Sequence, residues 1–160
     1  LLMNNPPVHL FNFDVLFLGG VILLLMLIFH AVYNYFVTNT YQNISRKLIQ
    51  SQNYRYTLFL FYAMSFVLVG SHLIEIYLWG VALFYFSLVP NLDQAIFFAG
   101  SFYTTVGYGS IPLPSGWDLM VVIIALNGMV AFGWTIANLA NMQRTVHVAR
   151  RLAKSDGYFM

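Results

Sequence analysis

The chain has 160 residues, 60% of them hydrophobic and only 8% charged, with no cysteine and a formal net charge of +2. A water-soluble domain of this size carries about a quarter charged residues, so a soluble globular protein is excluded, and the small net charge leaves no footprint for nucleic acid. Neither a disulfide framework nor a thiolate metal site is available; what remains is a membrane protein, stable where lipid replaces water around its apolar surface.

The first apolar run follows Asp14 and extends from Val15 to about Thr38, ahead of the polar segment Asn39–Asn43. A signal peptide has a basic start and an apolar core of about 7–15 residues. Residues 1–14 hold no Lys or Arg and the run is longer than that, so a retained transmembrane helix is expected. It has no regularly spaced arginines and is no voltage sensor of the usual kind. Gly19 and Gly20 suit it to pack as a peripheral helix around an assembly.

The second run starts at Tyr56 and reaches about Pro90, interrupted by Glu75 alone; the third covers Leu119 to about Met142. A bilayer core of about 30 Å takes roughly 20 helical residues. The first and third runs therefore span once, and the second spans once with length to spare. Trp79 and Trp117 are candidate interfacial anchors. Arg46, Lys47 and Arg55 lie between the first two spans, and Arg144, Arg150, Arg151 and Lys154 follow the third. The positive-inside rule puts these segments in the cytoplasm and leaves the N-terminus and the connection from about Pro90 to Asp118 outside.

That outer connection carries the chemistry. Asp93 to Tyr103 is apolar and about three helical turns long, too short to cross a bilayer. It reads as a re-entrant helix that returns as an extended strand through Thr104-Thr105-Val106-Gly107-Tyr108-Gly109. Irregular backbone at membrane depth is tolerated only inside protein or along a water-filled path. Gly107 and Gly109 take positive φ without steric cost, so successive carbonyls can point the same way.

The run Thr105-Val106-Gly107-Tyr108-Gly109 resembles the signature of the potassium-channel family, over roughly Tyr56 to Met142. The resemblance implies an all-α membrane protein: three transmembrane helices, a re-entrant pore helix and a filter loop. It implies K+ coordinated by the carbonyls of Thr105, Val106, Gly107 and Tyr108 and by the Thr105 hydroxyl, no cofactor and no catalytic residue. One filter per chain implies four identical subunits closed by cyclic symmetry. The domains are then an N-terminal helix with its connection (1–55), the pore domain (56–142) and a basic tail (143–160). Thr104, Ser101, Phe97, Phe98 and Ser110 surround the filter. Here the chain departs from the family, which commonly has Asp at the position of Ser110, an acid or β-branched residue at that of Ser101 and tryptophans at Phe97 and Phe98. Phenylalanine has no donor to offer Tyr108, which implies a potassium-selective filter of unusual stability or inactivation.

On the third span Gly128 falls where the family's hinge glycine lies, with Gly133 a second flexible point. Phe132, Ile136 and Ala140 follow at i+4 steps and either line the conduction path or pack against neighbouring helices. Asn127, Asn138 and Asn141 either face the cavity or bond between helices. His72 and Glu75, three apart on one helical face, form a candidate intramembrane pair. If Tyr56 marks the inner boundary, Glu75 lies about 28 Å along, near the outer interface and the N-terminus of the pore helix. Two readings stand: a bracing pair, or a proton sensor, since histidine titrates near neutral pH. A resident metal is not expected, His30 being the one other candidate ligand. The basic tail has anionic lipid heads within its reach, with positive-inside anchoring the plainer role. Two further classes remain open, a potassium-transporter subunit and a non-conducting channel relative, besides a weakly selective cation channel. An enzyme is excluded for want of a nucleophile–base pair or a phosphate loop.

Overall fold

A computed structural model describes residues 13–108 and 111–155. Four helices follow one another: α1 (Phe13–Gln50), α2 (Tyr54–Tyr85), α3 (Leu92–Tyr103) and α4 (Leu119–Ser155). Among the described residues no strand forms. The helices α1, α2 and α4 are each long and apolar enough to cross a membrane; α3, of 12 residues, is not. The protein is thus an all-α membrane protein with a short helix between its second and third spans.

Two of the helices outrun the apolar stretches. α1 continues through Asn39–Asn43 to Gln50 and, with 38 residues, is about 57 Å long. No Gly or Pro interrupts that segment, and polarity alone does not end a helix. α4 continues past Met142 through Gln143, Arg144, Ala149, Arg150, Leu152 and Lys154, good helix formers all, to Ser155. α2 ends earlier than its apolar run, at Tyr85.

The same device ends α1 and α2. At α1 the amide of Asn53 donates to Leu48 O at 2.9 Å and that of Gln52 to Ile49 O at 3.1 Å, with Gln52 at φ +58°. At α2 Leu88 donates to Leu83 O at 2.9 Å and Ser87 to Phe84 O at 3.0 Å, with Ser87 at φ +56°. Each is a 6→1 and 5→2 pair closing the last turn around a left-handed residue, a position usually given to glycine.

The residues fall into two compact units. The first comprises residues 13–28 and, of Leu73–Ala131, the described ones, hence all of α3 and the loop Thr104 to Tyr108. Its core gathers Val15, Trp79, Leu83, Phe98, Tyr103, Met120 and Ile124, each at most 2% exposed. The second comprises Phe29–His72 and Phe132 onward, around Val37, Tyr41, Leu60, Leu68 and Met142. There Tyr41 donates its hydroxyl to Met142 O at 2.8 Å and Tyr33 donates to Val67 O at 2.9 Å, so α1 is hydrogen-bonded to both α4 and α2.

Within the first unit close packing depends on missing side chains. A Cβ on Gly80 of α2 would sit 2.7 Å from Cα of Ile96 in α3. A Cβ on Gly128 of α4 would overlap the carbonyl oxygen of Tyr103. Gly19 brings α1 against Ile123 and Met120 of the same chain's α4, while Gly20 meets nothing. The expected peripheral packing of α1 is therefore, at Gly19, packing within the subunit.

Candidate ion-selectivity site

α3 stops where the Thr104 to Tyr108 loop begins. Asn91 caps its start, its side-chain oxygen accepting from the amides of Asp93 at 2.8 Å and Gln94 at 3.3 Å, and Asp93 adds a carboxyl in the first turn where the helix dipole favours one. At the other end the hydroxyl of Thr104 donates to Gly100 O at 2.7 Å, and the amide of Thr105 donates to Phe102 O at 2.9 Å. The Gly100 carbonyl also accepts the Thr104 amide at 3.0 Å, and the bond to Phe102 uses a carbonyl that a helix end otherwise leaves without a partner.

The loop Thr104 to Tyr108 is not the regular extended strand expected of it: Thr105 stands at φ +60° and Gly107 at φ +68°, and the amide of Gly107 donates to Ser101 O at 3.0 Å. Glycine adopts such a φ freely, as the sequence indicates for Gly107. For a β-branched threonine it is a strained conformation that persists only when its surroundings enforce it, and nothing in the sequence marks Thr105 for it. Thr104 to Tyr108 are all exposed. Gly109 and Ser110 lie outside the described residues.

The shell behind the loop is aromatic. The Phe97 ring meets that of Tyr108 edge-on, at 6.1 Å and 88°, the geometry favoured by ring quadrupoles. Phe98 is buried and lies 4.7 Å from Phe102. Ser101 is buried, and among the described residues its hydroxyl has no hydrogen-bond partner.

Glu75 is fully buried on α2, and its Oε2 accepts two hydrogen bonds, both at 3.1 Å: one from the Tyr103 hydroxyl and one from Nδ2 of Asn127. The Asn127 Oδ1 in turn accepts from the Trp79 indole at 2.6 Å. All four side chains are fully buried. Glu75 thus reaches the C-terminal end of α3, one residue before Thr104, and not the N-terminus that helical counting suggests. The rise along α2 gives a height but not which end of a neighbouring helix lies at that height. Trp79, expected at a membrane interface, is instead an internal hydrogen-bond donor. Asn127 bonds between helices; Asn141 is exposed. A sequence signal for this network existed in the isolated acid amid an apolar run, but no spacing rule names its partners across 28 and 52 residues.

His72 lies on α2 in the second unit. Its ring stacks on Phe132 at 4.3 Å and 21° and lies 5.4 Å from the ring of His30. The Thr135 hydroxyl is 3.4 Å from Nε2 of His30. In the same unit Nδ2 of Asn138 donates to Oδ1 of Asn34 at 2.7 Å, bonding α4 to α1. Phe132, Gly133, Ile136 and Ala140 are all exposed on α4, which runs through Gly128 and Gly133 without a break.

Residues 71–144 match the family described as ion channel. Potassium channel subfamily K member 10 of Mus musculus is 35% identical over 57 residues, which are 35% of this chain and 11% of that protein. Potassium channel subfamily K member 2 of Homo sapiens is 32% identical over 71 residues, 44% of this chain and 16% of that protein. The chain thus covers only a small part of these relatives' length. No solved structure matches at comparable significance. The matched segment takes in Glu75, all of α3, Thr104 to Gly109 and Asn127, so it is through residues 71–144 that the chain is similar to ion channels and, among them, to these potassium channels.

Proposed function

We propose that this chain is one subunit of a potassium-selective channel, in which four copies of the loop Thr104 to Gly109 close around one conduction path. The observation that carries the reading is the loop itself. A Thr-Val-Gly-Tyr-Gly sequence leaves the C-terminus of a short helix between two membrane-spanning helices, in a segment related to potassium channels. The negative end of α3 faces the start of the loop and favours a cation there. Carbonyls of Thr105, Val106, Gly107 and Tyr108, with the Thr105 hydroxyl, replace the water around a dehydrated K+. The exposure of Val106 and Tyr108, 71% and 73% within one chain, supports a loop that is completed by its copies. Passive permeation of K+ needs no cofactor and no catalytic group.

Four subunits follow from one filter per chain and a closed ring. In the membrane, the Arg46–Lys47–Arg55 connection and the basic end of α4 lie in the cytoplasm, with the N-terminus and the filter on the outer side. The exposed face of α4 at Ile136 and Ala140 then borders the path below the filter.

The test is cation flux into liposomes containing the purified protein. The proposal expects K+ uptake down its gradient at rates far above carrier turnover, with little Na+ uptake. Equal K+ and Na+ uptake would leave a non-selective cation channel, and no flux would leave a non-conducting relative.

A further inference from the structure

We propose that Glu75 is a positioning residue for the filter: through Tyr103 it fixes the end of α3 so that Thr105 holds its left-handed conformation. The inference rests on the filter reading of Thr104 to Gly109 and adds to it a group that never touches the ion.

Thr105 at φ +60° is the most strained described point of the loop, and a β-branched residue stays there only when its neighbours over-determine it. The loop is exposed within one chain, and its backbone hydrogen bonds run back to the helix that feeds it: the amide of Thr105 donates to Phe102 O and that of Gly107 to Ser101 O. Tyr103, two residues upstream and fully buried, is held at both ends. Its hydroxyl donates to Oε2 of Glu75 at 3.1 Å. Its backbone carbonyl abuts Gly128 of α4, where no Cβ would fit. Asn127, adjacent to Gly128, donates to the same Oε2 and is itself fixed by the Trp79 indole. The network joins three helices, α2, α3 and α4, and the acceptor that takes donors from two of them is the Glu75 carboxyl. An acid is costly at membrane depth and tends to persist where it has a task; two donors on one oxygen offset part of that cost. Removing the acceptor frees the Tyr103 ring to rotate, lets the end of α3 shift and allows Thr105 to relax to negative φ, which redirects its carbonyl away from the path.

The decisive variants are Tyr103→Phe, which keeps the ring and removes the donor, Glu75→Leu, which removes the acceptor, and Glu75→Gln, whose amide oxygen can still accept both bonds. Each is reconstituted beside the parent in planar bilayers, where reversal potential in mixed K+ and Na+ and the sustained fraction of current are recorded. Tyr103→Phe and Glu75→Leu are expected to lower the K+/Na+ permeability ratio by roughly tenfold, the scale of one lost buried hydrogen bond, and to make the current decay. Glu75→Gln should resemble the parent in both. Parent-like behaviour of Tyr103→Phe overturns the proposal, and so does a Glu75→Gln channel as impaired as Glu75→Leu. A merely stabilising role would lower yield or melting temperature and leave the permeability ratio alone. Should Glu75→Leu fail to assemble, the isosteric Tyr103→Phe still decides. The parent's own reversal potential tests the filter reading separately; if the parent does not discriminate K+, the sustained current of Tyr103→Phe relative to it still tests the positioning.

Discussion

In the unit that carries α3 and the proposed filter, helices approach backbone to backbone at Gly80 and Gly128, and the buried polar groups converge on one carboxyl oxygen of Glu75. In the other unit, the helices meet through large rings and amides: His72 on Phe132, His30 beside His72 and Trp134, Asn138 to Asn34, and Tyr41 to the Met142 carbonyl. Backbone contact leaves no room for rotamer adjustment, whereas rings and amides can slide and re-pair. The difference teaches where this subunit spends its rigidity. The loop proposed to hold a dehydrated cation is backed by contacts that fit in one way only, consistent with the high packing density that makes interiors bistable and not continuously deformable.

The comparison can be broken most forcefully at its glycines. Gly128→Ala puts a methyl into the Tyr103 carbonyl and should destabilise the detergent-solubilised protein by about 1–3 kcal/mol, or abolish assembly. Gly133→Ala, five residues on in the same helix, meets nothing and should be neutral or stabilise by up to about 1 kcal/mol, since alanine is the better helix former. Thermal melts of the two variants side by side check this, and equal losses would remove the distinction between the units.

The next largest difference is in the amides. Asn127→Leu leaves the Trp79 indole without its acceptor and Glu75 with one donor fewer, at a cost of about 1–3 kcal/mol. Asn138→Leu removes a single bond to Asn34, whose own Nδ2 still donates to the His30 carbonyl at 2.9 Å; interhelical bonds of that kind average about 0.6 kcal/mol. Denaturation midpoints should order the two accordingly. Effects of similar small size are shared by both units: Gln52→Gly and Ser87→Gly relieve a left-handed non-glycine residue and should each stabilise by about 0.5 kcal/mol, part of the left-handed strain being offset by the entropy glycine loses on folding, visible as a modest rise in melting temperature.

Much of this was legible in the sequence because the physics behind it is local. Charge-free runs give spans, and a short apolar segment before Thr-Val-Gly-Tyr-Gly gives the short helix α3. What was not legible depended on which side chains meet across long separations. Glu75 was visible as an acid at membrane depth, yet its partner, Tyr103 at the C-terminus of α3, depends on the relative height of two helices. Trp79 has the residue type of an interfacial anchor and an internal position. Gly128 stands out as a glycine in a span, but the carbonyl that requires it lies 25 positions earlier in the chain. Thr105 carries no sequence mark of its positive φ, because the conformation is imposed by the bonds around it and not preferred by threonine.

The central claim is that Thr104 to Gly109, held from behind by α3, passes K+ and rejects Na+. The most direct measurement is the reversal potential of single channels formed by the purified chain, with K+ on one side of a planar bilayer and Na+ on the other. The account predicts a reversal potential displaced far toward the K+ equilibrium value, and moving with the K+ gradient alone. A reversal potential near zero that does not change as the Na+/K+ ratio is varied would contradict it.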